Sequence, residues 1–558
     1  MLNRIVPTLF LACLFLMCAV LPARAQELCA ANFEMVTSLF EPSFGSYSIW
    51  ETVKGEGQRQ EAFKSVADMG AGVTLAAGEM VPLAGVHPVV MLTAYDKRGQ
   101  ELWEKFHNVS SVEAVVKILK TGEDRIALMV NRNHRGEGKT VWIGFFDAQG
   151  MFKTQKVIRE KGKQFVGMDM ALSPDGKRLI IAVSEVKAGG TAEKPVITHS
   201  PEVHILDVSS GKTLVSRAYV MGADAEILGV SSALFGEEQG EAIFVTGYVS
   251  YDGQKKSGWV MRLGPDAMME WQQPFSRGLQ SRLKRSAIYM KEYILAAGDA
   301  LPTDGGHAGG WLMLIEASSG RVMWQRFYTG GYDYSGVDLA VHEDGLIALM
   351  MQATAPEVKD PDAPKVPLME DDGTIIGKMD YLHMLVVDPR GVTLTGESYF
   401  KGYGARGFQM VLSADRRYLI AGSAETPYAE IYQKFAGMND QGAFSEPAEG
   451  ADDAGMPDQA VLTKAGLPGA EVTIGTLPAD SPMEKTSLSD ASVPERSLSG
   501  LALLNKKVSE SVESKEGAEA EAGDEADLPR TTLDGWVFAG NGPEEYKDPC
   551  VKPEAVLP

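Results

Sequence analysis

Apolar and polar positions alternate along most of the chain in short runs, and this pattern predicts β-strands rather than helices. Six segments share one arrangement: an apolar strand, a turn with an acidic residue and Gly, and a second strand that often contains Trp. They are residues 92–106, 143–157, 203–217, 260–275, 311–328 and 384–400. Another pair of strand-like runs precedes each segment, as at 168–185, 337–353 and 410–425. Four short strands every 50 to 70 residues are typical of β-propeller blades.

The repeats predict seven blades, near residues 61–110, 111–160, 161–220, 221–276, 277–330, 331–402 and 403–545. The seventh has no fourth strand of its own after residues 534–538. A fourth-strand pattern near residues 47–54 belongs to no blade, and it matches residues 102–106. We therefore expect the N-terminal strand to complete the last blade and close the ring, which removes an exposed sheet edge.

The eight tryptophans occupy two positions of this repeat. Four open third strands, namely Trp142, Trp259, Trp311 and Trp536, and four lie in fourth strands, namely Trp50, Trp103, Trp271 and Trp324. Because wide rings at fixed positions fill the wedge between adjacent sheets, we interpret all eight as core residues rather than as a cofactor site.

The stretch from Trp311 to Thr354 contains WLMLIEASSG, MWQRFYTGGYDY and VDLAVHEDGLIALMMQAT. It resembles a secreted bacterial and archaeal β-propeller repeat in which a WLLKLD-type strand leads through G and W to a GG-D-Y loop. That family belongs to the quinoprotein-like and WD-type propellers, and the resemblance covers residues 46–426 and 531–545. It implies an all-β, seven-bladed propeller but no single activity, because propellers carry many.

Residues 1–25 have the pattern of a secretory signal peptide: one basic residue, an apolar run at 9–21 and a cleavage site after Ala25. The alternative, a retained membrane anchor, needs about 20 apolar residues, more than this run contains. We expect an exported protein, periplasmic or secreted, with no transmembrane segment after cleavage. Cleavage leaves two cysteines, Cys29 and Cys550, for which export favours a disulfide, with free thiols as the alternative.

The net charge of −22 argues against nucleic-acid binding, which needs basic surface. Much of this charge lies in one segment, because residues 436–530 contain 19 acidic and 7 basic residues. The segment contains no Trp, no Tyr and one Phe, Phe444. It therefore cannot bury enough apolar area to offset the entropic cost of ordering. We predict a propeller over residues 26–426, a disordered acidic insertion at 427–530, and the return strand of the last blade within 531–558.

The predicted long loops 186–201, 251–258, 299–310 and 354–379 join second to third strands, so they emerge on the same face as the blade-to-blade loops. Elaborated loops on one side of a scaffold usually mark the working face. The blade-to-blade loops are basic, and the candidate partner-binding residues are Arg159, Lys161, Lys163, Arg277, Arg282, Lys284, Lys401 and Arg406, with Lys54 and Arg59 in the closing loop. A basic ring suggests an anionic ligand or docking of the acidic insertion, and ordinary solvated charge is the alternative.

First strands line the channel of a propeller. Alignment of GMDMAL, GVSSAL, GVDLAV and GFQMVL predicts a ring of candidate ligand-binding residues, Asp169, Ser231, Asp338 and Gln409. Arg285 falls at the same level, and Glu113 and Ser65 align more loosely. Contact with channel water is the alternative interpretation of this ring.

No catalytic pattern stands out. The histidines form no metal pair on a helix, His307 stands alone in a Gly-rich loop, and no GxSxG motif is present. The acidic residues Asp360, Asp362, Asp371 and Asp372 lack EF-hand spacing. We therefore predict no catalytic residues, no metal and no cofactor.

The leading hypothesis is a monomeric, non-enzymatic binding or scaffolding module for a protein or an envelope polymer. One alternative is a quinoprotein-type oxidoreductase, a family that usually has eight blades, adjacent disulfide-bonded cysteines and a calcium-held quinone. The other is a hydrolase that uses the channel carboxylates Asp169 and Asp338.

Overall fold

The computed structural model is all-β, and its described residues contain no helix. Those residues are 34–39, 49–54, 60–81, 88–134, 138–191, 195–235, 240–253, 255–303, 305–355, 368–369, 375–376, 380–399, 404–427, 473–476, 531–540 and 542. Within these ranges there is no helix long and apolar enough to cross a membrane. Several predicted features lie outside them, namely the signal peptide, Cys29, Cys550, Arg59, Lys401, Asp360, Asp362, Asp371, Asp372 and most of the acidic insertion. The predictions made for those features stay predictions.

Seven sheets follow one another along the chain, and each has four antiparallel strands at its centre. Blade one contains β3 (Gln60–Gly70), β4 (Val73–Val81), β5 (Val89–Tyr95) and β6 (Glu101–Asn108). Blade two contains β7 (Val112–Gly122), β8 (Arg125–His134), β9 (Gly138–Asp147) and β10 (Phe152–Ile158). Blade three contains β11 (Gln164–Leu172), β12 (Arg178–Gly190), β13 (Pro195–Asp207) and β14 (Thr213–Ala218).

The remaining blades follow the same strand order. Blade four contains β15 (Asp224–Phe235), β16 (Gly240–Ser250), β17 (Ser257–Leu263) and β18 (Met269–Phe275). Blade five contains β19 (Gln280–Tyr289), β20 (Tyr293–Leu301), β21 (Gly309–Glu316) and β22 (Val322–Thr329). Blade six contains β23 (Asp333–Val341), β24 (Ile347–Thr354), β27 (Tyr381–Val387) and β28 (Thr393–Tyr399), with a small hairpin, β25 (Leu368–Met369) and β26 (Ile375–Ile376), in its second-to-third connection.

Blade seven joins the two ends of the ring. Its first two strands are β29 (Gly404–Leu412) and β30 (Tyr418–Pro427), and its third is β32 (Thr531–Gly540), which follows the insertion. The fourth strand is β2 (Trp50–Lys54), which pairs antiparallel with Gly535–Ala539. The predicted closure by an N-terminal strand is therefore confirmed, as is the seven-bladed all-β fold.

The apolar core is divided among the blade junctions. Seven clusters of buried side chains each join neighbouring blades, and the cluster that includes Trp50, Phe63 and Val537 joins blade seven to blade one. First strands contact one another around the centre, with β29 against β3 at the closure. The ring is therefore held by face-to-face packing of twisted sheets, and each junction contributes its own part of the core.

Third-strand tryptophans bond to the fourth strand of their own blade. The indole N–H of Trp142 donates to Gln155 Oε1 at 2.6 Å, and Trp259 and Trp311 donate in the same way to Gln272 and Gln325, each at 3.1 Å. In blade seven Trp536 donates to Glu51 Oε2 at 3.4 Å, across the closure. In the other three blades the acceptor lies on the fourth strand that follows directly in the sequence, whereas in blade seven the N-terminal closing strand supplies it.

Fourth-strand tryptophans contact the next blade. Trp50 of blade seven lies against Gly99, in the turn between the third and fourth strands of blade one, where a Cβ would come within 2.6 Å of the indole ring. Gly99 also has a φ of +77°, so both space and backbone conformation require glycine there. Trp324 of blade five donates its N–H to Pro389 O, in the corresponding turn of blade six, at 3.1 Å. The acidic-residue and glycine turns of the repeat are therefore docking points for these rings.

Two strands outside the seven blades were not predicted. β1 (Glu34–Ser38) pairs parallel with β22 at the outer edge of blade five, and β31 (Thr473–Thr476), inside the insertion, pairs parallel with β6 of blade one. Cys29 thus lies five residues before a strand of blade five, whereas Cys550 follows the third strand of blade seven.

Candidate functional site

The channel wall is shaped by a β-bulge that recurs in all seven first strands. The pairing with the second strand shifts by one residue at the same place in each blade, between residues 63 and 65, 115 and 117, 167 and 169, 227 and 229, 283 and 285, 336 and 338, and 407 and 409. The residues after the bulge lie at one level and form what we call the channel girdle: Ser65, Lys117, Asp169, Gly229, Arg285, Asp338 and Gln409. A bulge re-aims the side chains that follow it, and here it does so in every blade.

The bulge corrects two residues of the predicted ring. Gly229 rather than Ser231 lies at the girdle in blade four, and Lys117 rather than Glu113 lies there in blade two. Ser231 instead bonds through its hydroxyl to Ser286 at 2.8 Å. Glu113 pairs with Lys139 at 2.5 Å, in an exposed position. The alignment matched Gly229 with Gly167, Gly336 and Gly407, which lie before the bulge. Gly229 lies after it, so Ser231 was placed two residues beyond the girdle.

Girdle side chains bind the backbone of the next blade. Asp169 Oδ2 accepts the N–H of Val230 at 2.9 Å, and Asp338 Oδ2 accepts that of Met410, also at 2.9 Å. Across the closure Gln409 Oε1 accepts the N–H of Val66 at 3.1 Å. Between blades one and two, Ser65 Oγ accepts the N–H of Ile118 at 2.8 Å.

Cationic girdle residues join the three remaining junctions. Lys117 Nζ lies 2.6 Å from Asp169 Oδ1 and joins blade two to blade three. Arg285 donates to Leu228 O of blade four at 2.6 Å, and its Nε lies 3.9 Å from Asp338 Oδ1 of blade six. In blade four the girdle residue is Gly229, where a Cβ would lie 2.5 Å from Lys284 O. The girdle therefore bridges all seven junctions.

The two girdle carboxylates are engaged with protein groups. Asp169 is 2 % exposed, and its second oxygen accepts the N–H of Met170 as well as Lys117. Asp338 is 9 % exposed, and its other oxygen accepts the N–H of Leu339 at 2.9 Å. Burial raises the pKa of Asp338, although Arg285 opposes this. These contacts satisfy the carboxylates within the fold, so the geometry gives them a structural role and does not support the hydrolase hypothesis.

The basic residues of the loop-rich face are largely paired with carboxylates. Lys163 lies 2.7 Å from Glu160, Arg277 2.5 Å from Glu34, Arg406 3.5 Å from Asp380 and Lys54 3.2 Å from Glu104. Arg282 and Lys284 share Asp299, at 2.8 and 2.7 Å. Burial lowers the pKa of Lys284, while for Asp299 the two cations outweigh burial and lower the pKa. Arg159 and Lys161 are exposed in the loop before β11.

This pairing changes the electrostatic character of the face. Glu34 comes from β1, 243 residues away from Arg277, and Asp299 lies on β20, the strand that pairs with β19. A count of charges loop by loop could not anticipate carboxylates that come from strands. The face is therefore a mosaic of ion pairs rather than a basic ring.

A β-ribbon projects from the loop-rich face. Within the predicted loop 186–201, residues 186–190 and 195–201 are instead the extended ends of β12 and β13. Beyond Val186, where pairing with β11 ends, four further residue pairs continue from Lys187 and Thr198 to Gly190 and Pro195. At about 3.3 Å per residue, this ribbon, residues 187–190 and 195–198, projects about 13 Å beyond the sheet. Val196 is 52 % exposed and Ile197 60 %.

The base of the ribbon is anchored on blade four by residues that the sequence analysis missed. The backbone N–H of His199 donates to Asp224 Oδ1 at 2.8 Å, and His199 Nδ1 lies 3.0 Å from the same oxygen. Tyr248 donates to Asp224 Oδ2 at 3.0 Å, and Lys256 Nζ lies 3.8 Å from the centre of its ring. Burial, helped by Glu226 and Asp224, raises the pKa of Tyr248. A lone histidine before a strand is a weak sequence signal, since its partners lie on another blade.

The histidine of the Gly-rich loop, His307, lies beside one carboxylate. His307 is part-exposed, and its Nδ1 lies 3.4 Å from Asp333 Oδ1. That carboxylate also accepts the N–H of Ala308 at 2.6 Å, so it orders the loop before β21. Within the described residues no group of three or more His, Cys, Asp or Glu side chains is arranged to hold a metal ion.

The strand order defines the class of protein: a seven-bladed β-propeller closed by its N-terminal strand. No protein-family model matches the chain, so the resemblance to a secreted repeat family stays a hypothesis, and no curated protein matches it either.

Several solved structures match the chain at low similarity. The β-propeller domain of the trilobed protease from Pyrococcus furiosus is 10% identical, with 66% of this chain and 92% of that chain covered and a TM-score of 0.35. A mutant apocarotenoid oxygenase from Synechocystis is 10% identical over 64% of this chain and 93% of its own, with a TM-score of 0.32. Neither similarity bears on the activity of this chain.

Proposed function

We propose that this chain is an exported, non-enzymatic binding or scaffolding module, and that it contacts a partner through the ribbon side of its loop-rich face. The observation that supports this proposal is the ribbon, which presents two adjacent β-branched apolar side chains, Val196 and Ile197, to solvent. Large apolar side chains exposed together on one face are typical of protein-protein contact sites.

Further exposed apolar residues follow strands that end on the same face. Val220, in the loop between blades three and four, is 95 % exposed, and Tyr251, after β16, is 64 % exposed. Tyr251 follows Tyr248, the residue that anchors the ribbon base, by three positions. An exposed tyrosine beside apolar anchors fits the usual composition of interface centres.

The charge pattern favours a protein over an anionic envelope polymer as the partner. The cations of this face are paired with carboxylates at 2.5 to 3.5 Å in the cases of Arg277, Lys163 and Arg406. An anion would have to compete with those carboxylates, whereas an apolar protein segment would not. The proposal therefore narrows the expected partner to a protein with a complementary apolar surface.

The experiment compares two double variants of the full-length protein in a cross-linking pull-down from envelope extract. Val196→Ser with Ile197→Ser removes the apolar tip of the ribbon. Leu214→Ser with Leu394→Ser is the matched control, since both leucines are exposed on outer strands away from this face. We expect the ribbon variant to bind the captured partner at least about tenfold more weakly, which corresponds to about 1.4 kcal/mol, and the control to bind as the wild type does.

Equal capture by both variants would contradict the assigned surface. Reduction of a dye by the purified protein in a quinone-dependent assay, with no partner captured, would instead support the oxidoreductase alternative and overturn the binding proposal.

A further inference from the structure

Two blades carry a fifth strand on their outer edge, and both fifth strands run parallel to the fourth strand in the same register. On blade five the pairs are Arg326 with Met35, Phe327 with Val36, Tyr328 with Thr37 and Thr329 with Ser38. On blade one they are Lys105 with Thr473, Phe106 with Ile474, His107 with Gly475 and Asn108 with Thr476. Counted from Trp324 and Trp103, these four pairs occupy identical positions.

The two receiving strands also correspond residue by residue. Blade five reads Trp-Gln-Arg-Phe-Tyr-Thr over 324–329, and blade one reads Trp-Glu-Lys-Phe-His-Asn over 103–108. The incoming segments, Met-Val-Thr-Ser at 35–38 and Thr-Ile-Gly-Thr at 473–476, share a β-branched apolar residue opposite Phe and end on a hydroxyl residue. Because the segments lie more than 430 residues apart, two separate parts of the chain meet the same docking requirement.

The other two tryptophan-bearing fourth strands lack the phenylalanine that follows the tryptophan by three residues. β18 reads Trp-Gln-Gln-Pro-Phe over 271–275, so Pro274 replaces the phenylalanine and removes a backbone donor. β2 reads Trp-Glu-Thr-Val-Lys over 50–54. Neither carries a fifth strand among the described residues. Among these four strands, a fifth strand is therefore added only where the fourth strand has Trp followed three residues later by Phe.

We propose that the outer edge of blade one, residues 103–108, is a docking site for an extended segment of a partner protein, and that Thr473–Thr476 of the acidic insertion occupies this site in cis. The partner segment carries Val or Ile, then a small residue or Thr, then Ser or Thr, and it adds to the sheet as a parallel strand. Its backbone pairs with the open edge of β6, and the side chain opposite Phe106 provides selectivity.

A partner segment can replace the fifth strand of blade one more readily than that of blade five. On blade five the incoming strand is also held by Glu34, whose carboxylate bonds Arg277 at 2.5 Å and Gln325 at 3.2 Å. The N–H of Leu39 then donates to Thr329 O at 2.6 Å, and its side chain packs among the buried residues of blades five and six.

On blade one the cis strand spans four residues within the insertion at 427–530. The effective concentration of a tethered strand falls as its linkers lengthen. A free segment with the same pattern can therefore compete for the edge.

The experiment uses the full-length protein, with Ile474→Pro to prevent the cis strand from pairing and Ala491→Pro as a matched proline elsewhere in the insertion. Hydrogen exchange of the β6 amides is followed by mass spectrometry, with β22 as the internal reference. We expect β6 to exchange at least about tenfold faster in I474P than in A491P or the wild type, with β22 unchanged. Both substitutions lie in the insertion and leave the sequence of the seven four-stranded blades unchanged, so equal urea midpoints of the two variants and the wild type check that the ring is intact.

The probe for the open site is a labelled synthetic peptide of residues 469–479. It should bind I474P at least about tenfold more tightly than the wild type and restore protection of β6, whereas the same peptide with proline at the isoleucine should not bind. Equal exchange of β6 in I474P and the wild type would overturn the proposal, as would failure of the peptide to bind I474P. The proposal would also be overturned if the peptide protected β10 and β14, the fourth strands of blades two and three, as strongly as it protects β6.

Discussion

Neighbouring blades are joined in different ways at the outer rim and at the channel. At the rim, Trp50, Trp103, Trp271 and Trp324 each contact the turn of the next blade. At the channel, the girdle joins blades through polar side chains. All seven junctions have a girdle contact, whereas four have a rim tryptophan. Polar contacts thus set the repeating geometry, and the rim supplies large apolar contacts where the sequence allows them.

The junction between blades three and four shows what replaces a rim tryptophan. Tyr219, just after the fourth strand of blade three, donates to Ala267 O in the blade-four turn at 2.6 Å. The ring still covers the turn, and burial raises its pKa. The turn is therefore the constant part of the rim contact, and the aromatic residue that covers it can vary.

The largest expected effect is loss of a rim ring. Trp324→Ala removes a side chain that is 2 % exposed and leaves a cavity against the turn of blade six. We expect the free energy of unfolding to fall by about 3–5 kcal/mol, measured by urea denaturation. Leu394→Ala, at an exposed position on the rim of blade six, is the control and should cost under about 0.5 kcal/mol. Similar losses for both variants would contradict the rim contact.

A girdle substitution should cost less. Asp169→Ala leaves the backbone N–H of Val230 without its acceptor and removes the partner of Lys117, so we expect a loss of about 1–3 kcal/mol in the same assay. Ser231→Ala is the matched control, since Ser231 lies outside the girdle and its hydroxyl bonds to that of Ser286. If Ser231→Ala costs as much as Asp169→Ala, the register set by the bulge is wrong.

Removal of the acceptor for a third-strand tryptophan should have a smaller effect. Gln155→Leu leaves the buried indole N–H of Trp142 without its partner at 2.6 Å, at a cost of about 1 kcal/mol in urea denaturation. Glu51→Gln gives the closing strand the amide acceptor found in the other blades, and its expected effect on stability is close to zero. A large loss for E51Q would show that the carboxylate is needed at the closure.

The smallest effect is a pH dependence that differs between rim and girdle. Burial lowers the pKa of His107, on the fourth strand of blade one, and of His383, on the third strand of blade six, to about 4. Between about pH 6.5 and 4 the unfolded chain then binds more protons than the folded chain, so these residues make stability fall as pH falls. The pKa of Asp338 in the girdle is raised instead, so its contribution has the opposite sign.

Between pH 7 and 6 each histidine should account for less than about 1 kcal/mol. His107→Gln and His383→Gln should flatten the curve of unfolding free energy against pH in that window, whereas Asp338→Asn should remove a contribution of the opposite sign. An unchanged slope in both histidine variants would contradict the burial of these rings.

Features that recur from one blade to the next could be predicted from the sequence. The tryptophans, the acidic turns and the unpaired strand near residue 50 identified the blades and the closure, because each signal recurs at a fixed spacing. The bulge could not be predicted in this way, because in β15 it lies two residues earlier relative to the shared glycine than in β11, β23 and β29, which displaced Ser231 from the girdle. Contacts between distant segments were also missed, such as that between Glu34 and Arg277, whose separation along the chain is 243 residues.

The closure has a consequence for the order in which the protein is made. β2 leaves the ribosome and crosses the membrane, if the chain is exported as proposed, long before its partner β32, which follows 485 residues after it at the Trp536–Glu51 contact. Until β32 arrives, blade seven is an incomplete sheet, and a long-range pairing of this kind slows folding. A newly made chain therefore presents β2 without its partner for most of its synthesis, and the edge of β30 from residue 427 until β32 arrives. A holding factor that covers these two edges would matter most for the last blade.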